Sequence, residues 1–230
     1  MLETFIKCKY HTFMQTLTQV VIGAGLGSKV LHDGQLAVLL EGSAQRRYNL
    51  VNRALVAGEL VRLKRSCYVL HPAVTGTKPQ GFVVAQHLQP GSFISFETAL
   101  AWHGWIPEAV RLIASVVPGR RKAEYSLPLW GDFRFVPLAQ NLGYGLVGVG
   151  RIELTGGIGL VADPLRALLD LMCWRKITPE LVPSFLQGLR LEPEWQSAVQ
   201  ADALMRLGQV YQHRRMTEVM GCIASECAHD

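Results

Sequence analysis

The stretch from Ser43 to Pro72 carries two hydrophobic rhythms in succession. Ala44, Tyr48, Val51 and Leu55 recur at i, i+4, i+7 and i+11, the spacing of one apolar helical stripe. Ser43 stands where an N-cap hydroxyl is needed, and Gly58 where a helix stops. The opposite face centres on Arg46, Asn49 and Arg53, with Gln45 and Asn52 at its edges and Arg47 nearer the buried side. The period then drops to two. Val61 and Leu63 alternate with Arg62 and Lys64, Lys64 to Cys67 forms a turn, and Tyr68-Val69-Leu70 returns. Upstream, Gly34 to Glu41 reads as a short helix with Asp33 as its N-cap. A helix, a turn, a polar-faced helix and a basic hairpin follow the order of a winged helix-turn-helix, predicted over residues 1–75.

Beyond a short linker, TGTKPQG, the pattern changes. Phe82 to Leu88 reads as a helix closed by Pro90-Gly91. Ser95 is placed to cap the next helix, Glu97 lies in its first turn, and Gly104 ends it. Strand-like segments follow at Leu112 to Val117, Glu124 to Leu127, Asp132 to Leu138, Leu146 to Leu154 and Ile158 to Ala162, the last two joined by Thr155-Gly156-Gly157. Asp163-Pro164 opens an amphipathic helix with Leu165, Leu168, Leu169 and Met172 on its apolar side. From Pro179 the pattern is helical, with a long final helix from about Glu194 to Val219. The predicted class is α+β: residues 78–230 form a larger unit, a mostly antiparallel sheet with a helical C-terminus.

Charge separates the two parts. Nine of the 23 basic residues but only four of the 18 acidic ones lie in the first 75 positions, so the whole net charge of +5 resides there. Six of those nine fall between Arg46 and Arg65. A local excess of fixed positive charge marks a polyanion-binding surface. Arg pairs bidentately with guanine, and Asn or Gln with adenine, in the major groove. The candidate contacts to double-stranded DNA are therefore Ser43, Gln45, Arg46, Arg47, Asn49, Asn52 and Arg53 on the helix, with Arg62, Lys64 and Arg65 on the wing.

Composition adds limits. With 230 residues, 49% apolar and 18% charged, the chain has the make-up of a globular protein of one or two domains. Its N-terminus lacks the apolar core of a secretory leader, and the odd set Cys8, Cys67, Cys173, Cys222 and Cys227 suggests reduced thiols and a cytoplasmic location. VVIGAGLGSK fails the phosphate-loop pattern on spacing, since Gly27 is followed by Ser28-Lys29. Cys222, Cys227 and His229 lack a second ligand pair, so no metal is expected, nor any other cofactor. His87, His103 and His213 have no nucleophile motif beside them. Asp132, Glu153, Asp163 and Asp170 could furnish a nuclease, but no Glu-x-Lys accompanies Glu153. Asp163 reads as a helix cap, Asp170 as a surface charge or an arginine partner. His103, Trp102 and Trp105 read as core. No enzymatic activity is expected.

Three stretches carry a resemblance: GELVRLKRSCYVL (Gly58 to Leu70), SFISFETALAWHGWIPEAV (Ser92 to Val110) and VADPLRALLDLM (Val161 to Met172). Together the chain resembles the AbiEi-type antitoxins, transcriptional regulators of viral-defence operons. The resemblance runs from about residue 33 to residue 175. One departure is Ser66, where that family's wing turn usually has glycine; serine is harder to hold at positive φ. The resemblance implies a winged-helix repressor that binds inverted repeats in its own promoter, where self-association on DNA, by cooperating monomers or by a preformed dimer, would fit. It also implies a C-terminal domain supporting antitoxin activity, and a nucleotidyltransferase-like toxin encoded next door as the partner. An alternative is a protein-interaction antitoxin that clamps its toxin directly, the basic hairpin being incidental.

Overall fold

The computed structural model describes residues 16–228 and divides the chain into two compact units, one through Lys78 and one from Pro79. In the first unit, Leu17–Gly23 (α1) leads to a short strand, Leu31–His32 (β1). Asp33–Leu39 (α2) and Ala44–Val56 (α3) follow, then the hairpin Leu60–Lys64 (β2) and Cys67–Leu70 (β3), and one helical turn, Pro72–Thr75 (α4). The strands form an antiparallel sheet in the order β1-β3-β2. Thr16 begins α1 with a capping box: its hydroxyl accepts from the Gln19 amide while the Gln19 side chain accepts from the Thr16 amide. Leu17, Val21, Leu31, Leu36, Leu40, Leu50, Val51, Ala54, Leu60, Tyr68 and Leu70 form one core beneath the helices. Each of its fully buried leucines contributes roughly 1.5–3 kcal/mol of transfer free energy. Thr18 on α1 donates to Glu59 at 2.5 Å, tying that helix to the link between α3 and β2.

Asp33 is the first helical residue of α2 and not its cap; His32 occupies that position, its amide donating to Gln35 at 3.0 Å. The Asp33 amide instead donates to the Ser66 carbonyl at 3.3 Å, which anchors the start of α2 to the tip of the hairpin. Ser66 adopts φ 60°, so the serine at the hairpin turn takes the left-handed conformation that glycine adopts without steric cost.

The second unit begins with Gly81–Leu88 (α5), Phe93–Ile94 (β4) and Phe96–Trp102 (α6). Ile113–Val117 (β5), Ala123–Leu127 (β6), Gly131–Pro137 (β7), Val149–Leu154 (β8) and Gly157–Ala162 (β9) complete a six-stranded sheet in the order β6-β7-β5-β4-β9-β8. The β6/β7, β5/β4 and β8/β9 pairs are antiparallel, whereas β5/β7 and β4/β9 are parallel, so the sheet is mixed. Two-residue β4 occupies the centre because the next helix carries the chain straight back to antiparallel β5. Pro164–Trp174 (α7) follows, then a 3-10 turn at Pro179–Leu181, Val182–Leu189 (α8), a 3-10 stretch at Pro193–Ala198, Ala201–Gly208 (α9) and Arg214–Ala228 (α10). The single long helix expected from about Glu194 is thus three separate pieces. Pro193 opens the first, and the chain leaves helical form beyond Gly208 to bridge Gln140 through Tyr211. No described helix is long and apolar enough to cross a membrane.

The α7 helix departs from the amphipathic expectation: every residue from Leu165 to Cys173 is buried. Its two charged residues, Arg166 and Asp170, are fully buried and paired at 2.9 Å. Arg166 also donates to the Val147 carbonyl and, at 3.2 Å, to that of Gly145. Asp170 accepts from the Ser95 hydroxyl at 2.7 Å and the Tyr211 hydroxyl at 2.8 Å. Ser95 holds the N-cap position of α6, yet its hydroxyl makes no cap bond; it is spent on Asp170. Burial pushes the Asp170 carboxyl up, and Arg166, Ser95 and Tyr211 oppose that shift. The Tyr211 phenol is raised well above its ordinary value by burial and by the adjacent carboxylate. Asp170 is an arginine partner in the interior, not a surface charge.

One further expectation needs correction. Trp105 is buried, but Trp102 and His103 are exposed at the end of α6, where the His103 ring reaches the Ala162 carbonyl at 3.0 Å. Asp163 holds the N-cap position of α7, as expected, although its side chain makes no cap bond. Asp132 on β7 and Glu153 on β8 have three strands between them, so the four acidic residues do not converge.

The buried thiols give a direct check on both cores. Burial pushes Cys67 and Cys173 up to about 11 from 9.0. Both should resist iodoacetamide at pH 8 in the folded protein and react once it is unfolded, as read by peptide mass spectrometry. A thiol raised in the fold contributes its full share of stability below about pH 9; that share declines as the pH climbs toward 11. Rapid native-state alkylation of either would contradict this packing.

Candidate nucleic-acid interface

The α3 helix begins as its sequence dictates. The Ser43 hydroxyl accepts from the Arg46 amide at 3.2 Å, satisfying an orphan donor of the first turn. At the other end Gly58 takes φ 71° and releases the chain into β2. The buried face differs from the expected stripe. Leu50, Val51 and Ala54 are buried, while Ala44 and Tyr48 are exposed, Tyr48 by 62%. Relative to the expected stripe the helix is rotated by somewhat under a quarter turn, which brings Leu50 and Ala54 into the core and leaves Tyr48 outside it.

That rotation decides what faces outward. Gln45, Asn49 and Val56 form the centre of the exposed face, flanked by Arg53, Tyr48 and half-buried Asn52. Gln45 donates to Asn49 at 3.1 Å, so the two amides form one hydrogen-bonding surface. The Arg46 side chain is exposed but folds back to donate to the Glu41 carbonyl, and it lies against Gly42. Arg47 is half-buried, as its wheel position implied. Ser43 is exposed, with its hydroxyl engaged as the cap.

On the hairpin the register shifts between Arg62 and Lys64, a bulge that turns the strand at its basic end. Leu63 is buried and Val61 half-buried, while Arg62 and Arg65 are exposed and Lys64 half-buried. The Arg62 guanidinium lies 5.7 Å from the centre of the Tyr68 ring, holding it against the sheet. Burial, followed by the Asp33 carboxylate, raises the Tyr68 phenol. The unit therefore presents exposed amides and an arginine on α3, and two exposed arginines at the hairpin. Tyr48 belonged to the expected packed stripe, and the helix rotation exposes it; Val56, an apolar residue not singled out from the sequence, lies between Gln45 and Asn49 on the polar face.

Among the described residues no group of three or more His, Cys, Asp or Glu side chains could hold a metal ion. His229 of the C-terminal Cys-x4-Cys-x-His run and Cys8 lie outside the described residues. No protein-family model matches this chain, and no curated protein matches it.

Proposed function

We propose that the N-terminal unit is a winged helix-turn-helix that binds double-stranded DNA, and that the protein is a non-enzymatic transcriptional repressor. In this reading α3 enters the major groove and the β2–β3 hairpin touches the backbone as the wing. The observation that carries it is the exposed Gln45–Asn49 amide surface of α3, with Arg53 beside it, in the unit that holds the chain's excess of positive charge. The succession α1, β1, α2, α3, β2, β3 supports it, since the two strands of the wing follow the polar-faced helix directly. Asn49 and Gln45 would read adenine, Arg53 guanine, and Val56 would meet a thymine methyl. Arg62 and Arg65 would contact phosphates.

The role of this binding, repression of its own promoter at inverted repeats within a toxin–antitoxin operon of phage defence, rests on the resemblance to AbiEi-type antitoxins. So do self-association on DNA, the antitoxin work of the C-terminal unit and a nucleotidyltransferase-like toxin as its target.

The wing is tested by substitution. Arg62→Ala and Arg65→Ala should each weaken binding to all sequences about equally, and each should reduce the salt slope by about 1 in fluorescence-anisotropy titrations. A sequence-selective loss, or none, would remove the hairpin from the phosphate-contacting role.

A further inference from the structure

The C-terminal unit, with 13 basic and 14 acidic residues, contains one concentrated positive segment, Arg120-Arg121-Lys122. All three side chains are exposed, and none joins an ion pair among the described residues. Topology fixes their location. Strands β5 and β7 are parallel neighbours, Val117 pairing with Pro137, and β6 lies on the far side of β7. Residues 118–122 therefore cross over the carboxyl end of β7, turning at Gly119 with φ 91°. Beneath that crossing is a cleft of about 640 Å³ whose lining includes Arg120, Pro137, Gln140, Asn141, Gly143 and Gln212. Clefts outside the carboxyl ends of parallel strands are a recurrent place for ligands, and this one is of ligand size.

The polar groups there are specific. The Nε2 of Gln140 is a buried donor without a hydrogen-bond partner among the described residues. The Gln140 carbonyl is held by the Gln212 side chain at 2.8 Å, and Asn141 donates to the Gln209 carbonyl at 2.8 Å, so the wall of the cleft is tied down. In the same loop Leu142 is 99% exposed and Tyr144 40% exposed. A buried donor without a partner is rare in a folded chain. Arg120 lines the cleft, and Arg121 and Lys122 follow it on the same exposed loop; adjacent cations match a group carrying more than one negative charge, and guanidinium forks suit phosphate oxygens. An exposed aromatic ring nearby suits a nucleobase.

We propose that this cleft and its basic rim are a second phosphate-binding site, independent of α3 and the wing, that takes the phosphate of a nucleotide, free or within a nucleic-acid strand. The experiment uses the full chain carrying Arg53→Ala, Arg62→Ala and Arg65→Ala, so that the proposed N-terminal interface does not contribute. Its probes are ATP, by calorimetry, and a fluorescein-labelled DNA duplex of arbitrary sequence, by anisotropy at low salt. At least one probe should bind, and adding Arg120→Ala, Arg121→Ala and Lys122→Ala should weaken that binding roughly tenfold or more with the unfolding midpoint unchanged. ATP binding would assign a free nucleotide; duplex binding without ATP binding would assign a strand. Gln140→Leu should weaken the same binding a few-fold. Binding of neither probe, binding indifferent to the three rim substitutions, or full affinity in Gln140→Leu would overturn the proposal.

Discussion

Asp170→Ala should destabilise the C-terminal unit by about 3–5 kcal/mol, the usual result of removing one partner of a buried ion pair. Arg166 is fully buried and its Nε would lose its partner, while two backbone carbonyls would be left to face an uncompensated guanidinium. The Ser95 and Tyr211 hydroxyls would lose their acceptor as well. In a unit of this size each kcal/mol lowers the melting temperature by roughly 2–4 °C, so a fall on the order of 10 °C is expected. Urea unfolding followed by tryptophan fluorescence measures it. The paired change Arg166→Met with Asp170→Leu should recover much of the loss, because apolar residues of similar volume often replace a buried pair without penalty. A loss below about 1 kcal/mol in Asp170→Ala would mean that the network is not organised as described.

The second large effect concerns recognition. Asn49→Ala and Arg53→Ala should each cost about 1–3 kcal/mol of operator affinity and relax preference at one base position. Neither should change the unfolding midpoint appreciably, since both side chains are exposed. Arg46→Ala should matter less for base reading, because the Arg46 guanidinium is held by the Glu41 carbonyl. The check is a titration of each variant against the wild-type operator and single-base variants of it. Uniform weakening across all sequences would place Asn49 and Arg53 on phosphates; unchanged binding would move the reading surface off α3.

The boundaries of α3 were legible because its signals are local: a cap hydroxyl at Ser43 and a left-handed stop at Gly58. Which face it buries was only partly legible. Tyr48 and Leu50 are both apolar enough for a core, and the choice between them is made by the sheet rather than by the helix. The strands of the second unit lay close to their hydrophobic runs, with the exception of β4, whose two residues have no period to read. The Arg166–Asp170 pair has ordinary i, i+4 spacing, which in sequence looks like a surface salt bridge. Its burial depends on Ser95 and Tyr211, 75 and 41 positions away from Asp170, and such distances are invisible to any local pattern. Ser66 misled: a serine where glycine is usual argued against a left-handed turn residue, yet φ 60° is found there.

The central claim, sequence-selective DNA binding by the N-terminal unit, is tested most directly by anisotropy titration of the whole protein. The probes are the DNA upstream of its own gene and a scrambled duplex of equal length, each at two salt concentrations. The account predicts tighter binding to the upstream DNA, and affinity for both duplexes that falls steeply with salt as phosphate contacts release condensed counterions. Equal affinity for the two duplexes at both salt concentrations, or no binding to either, would contradict it.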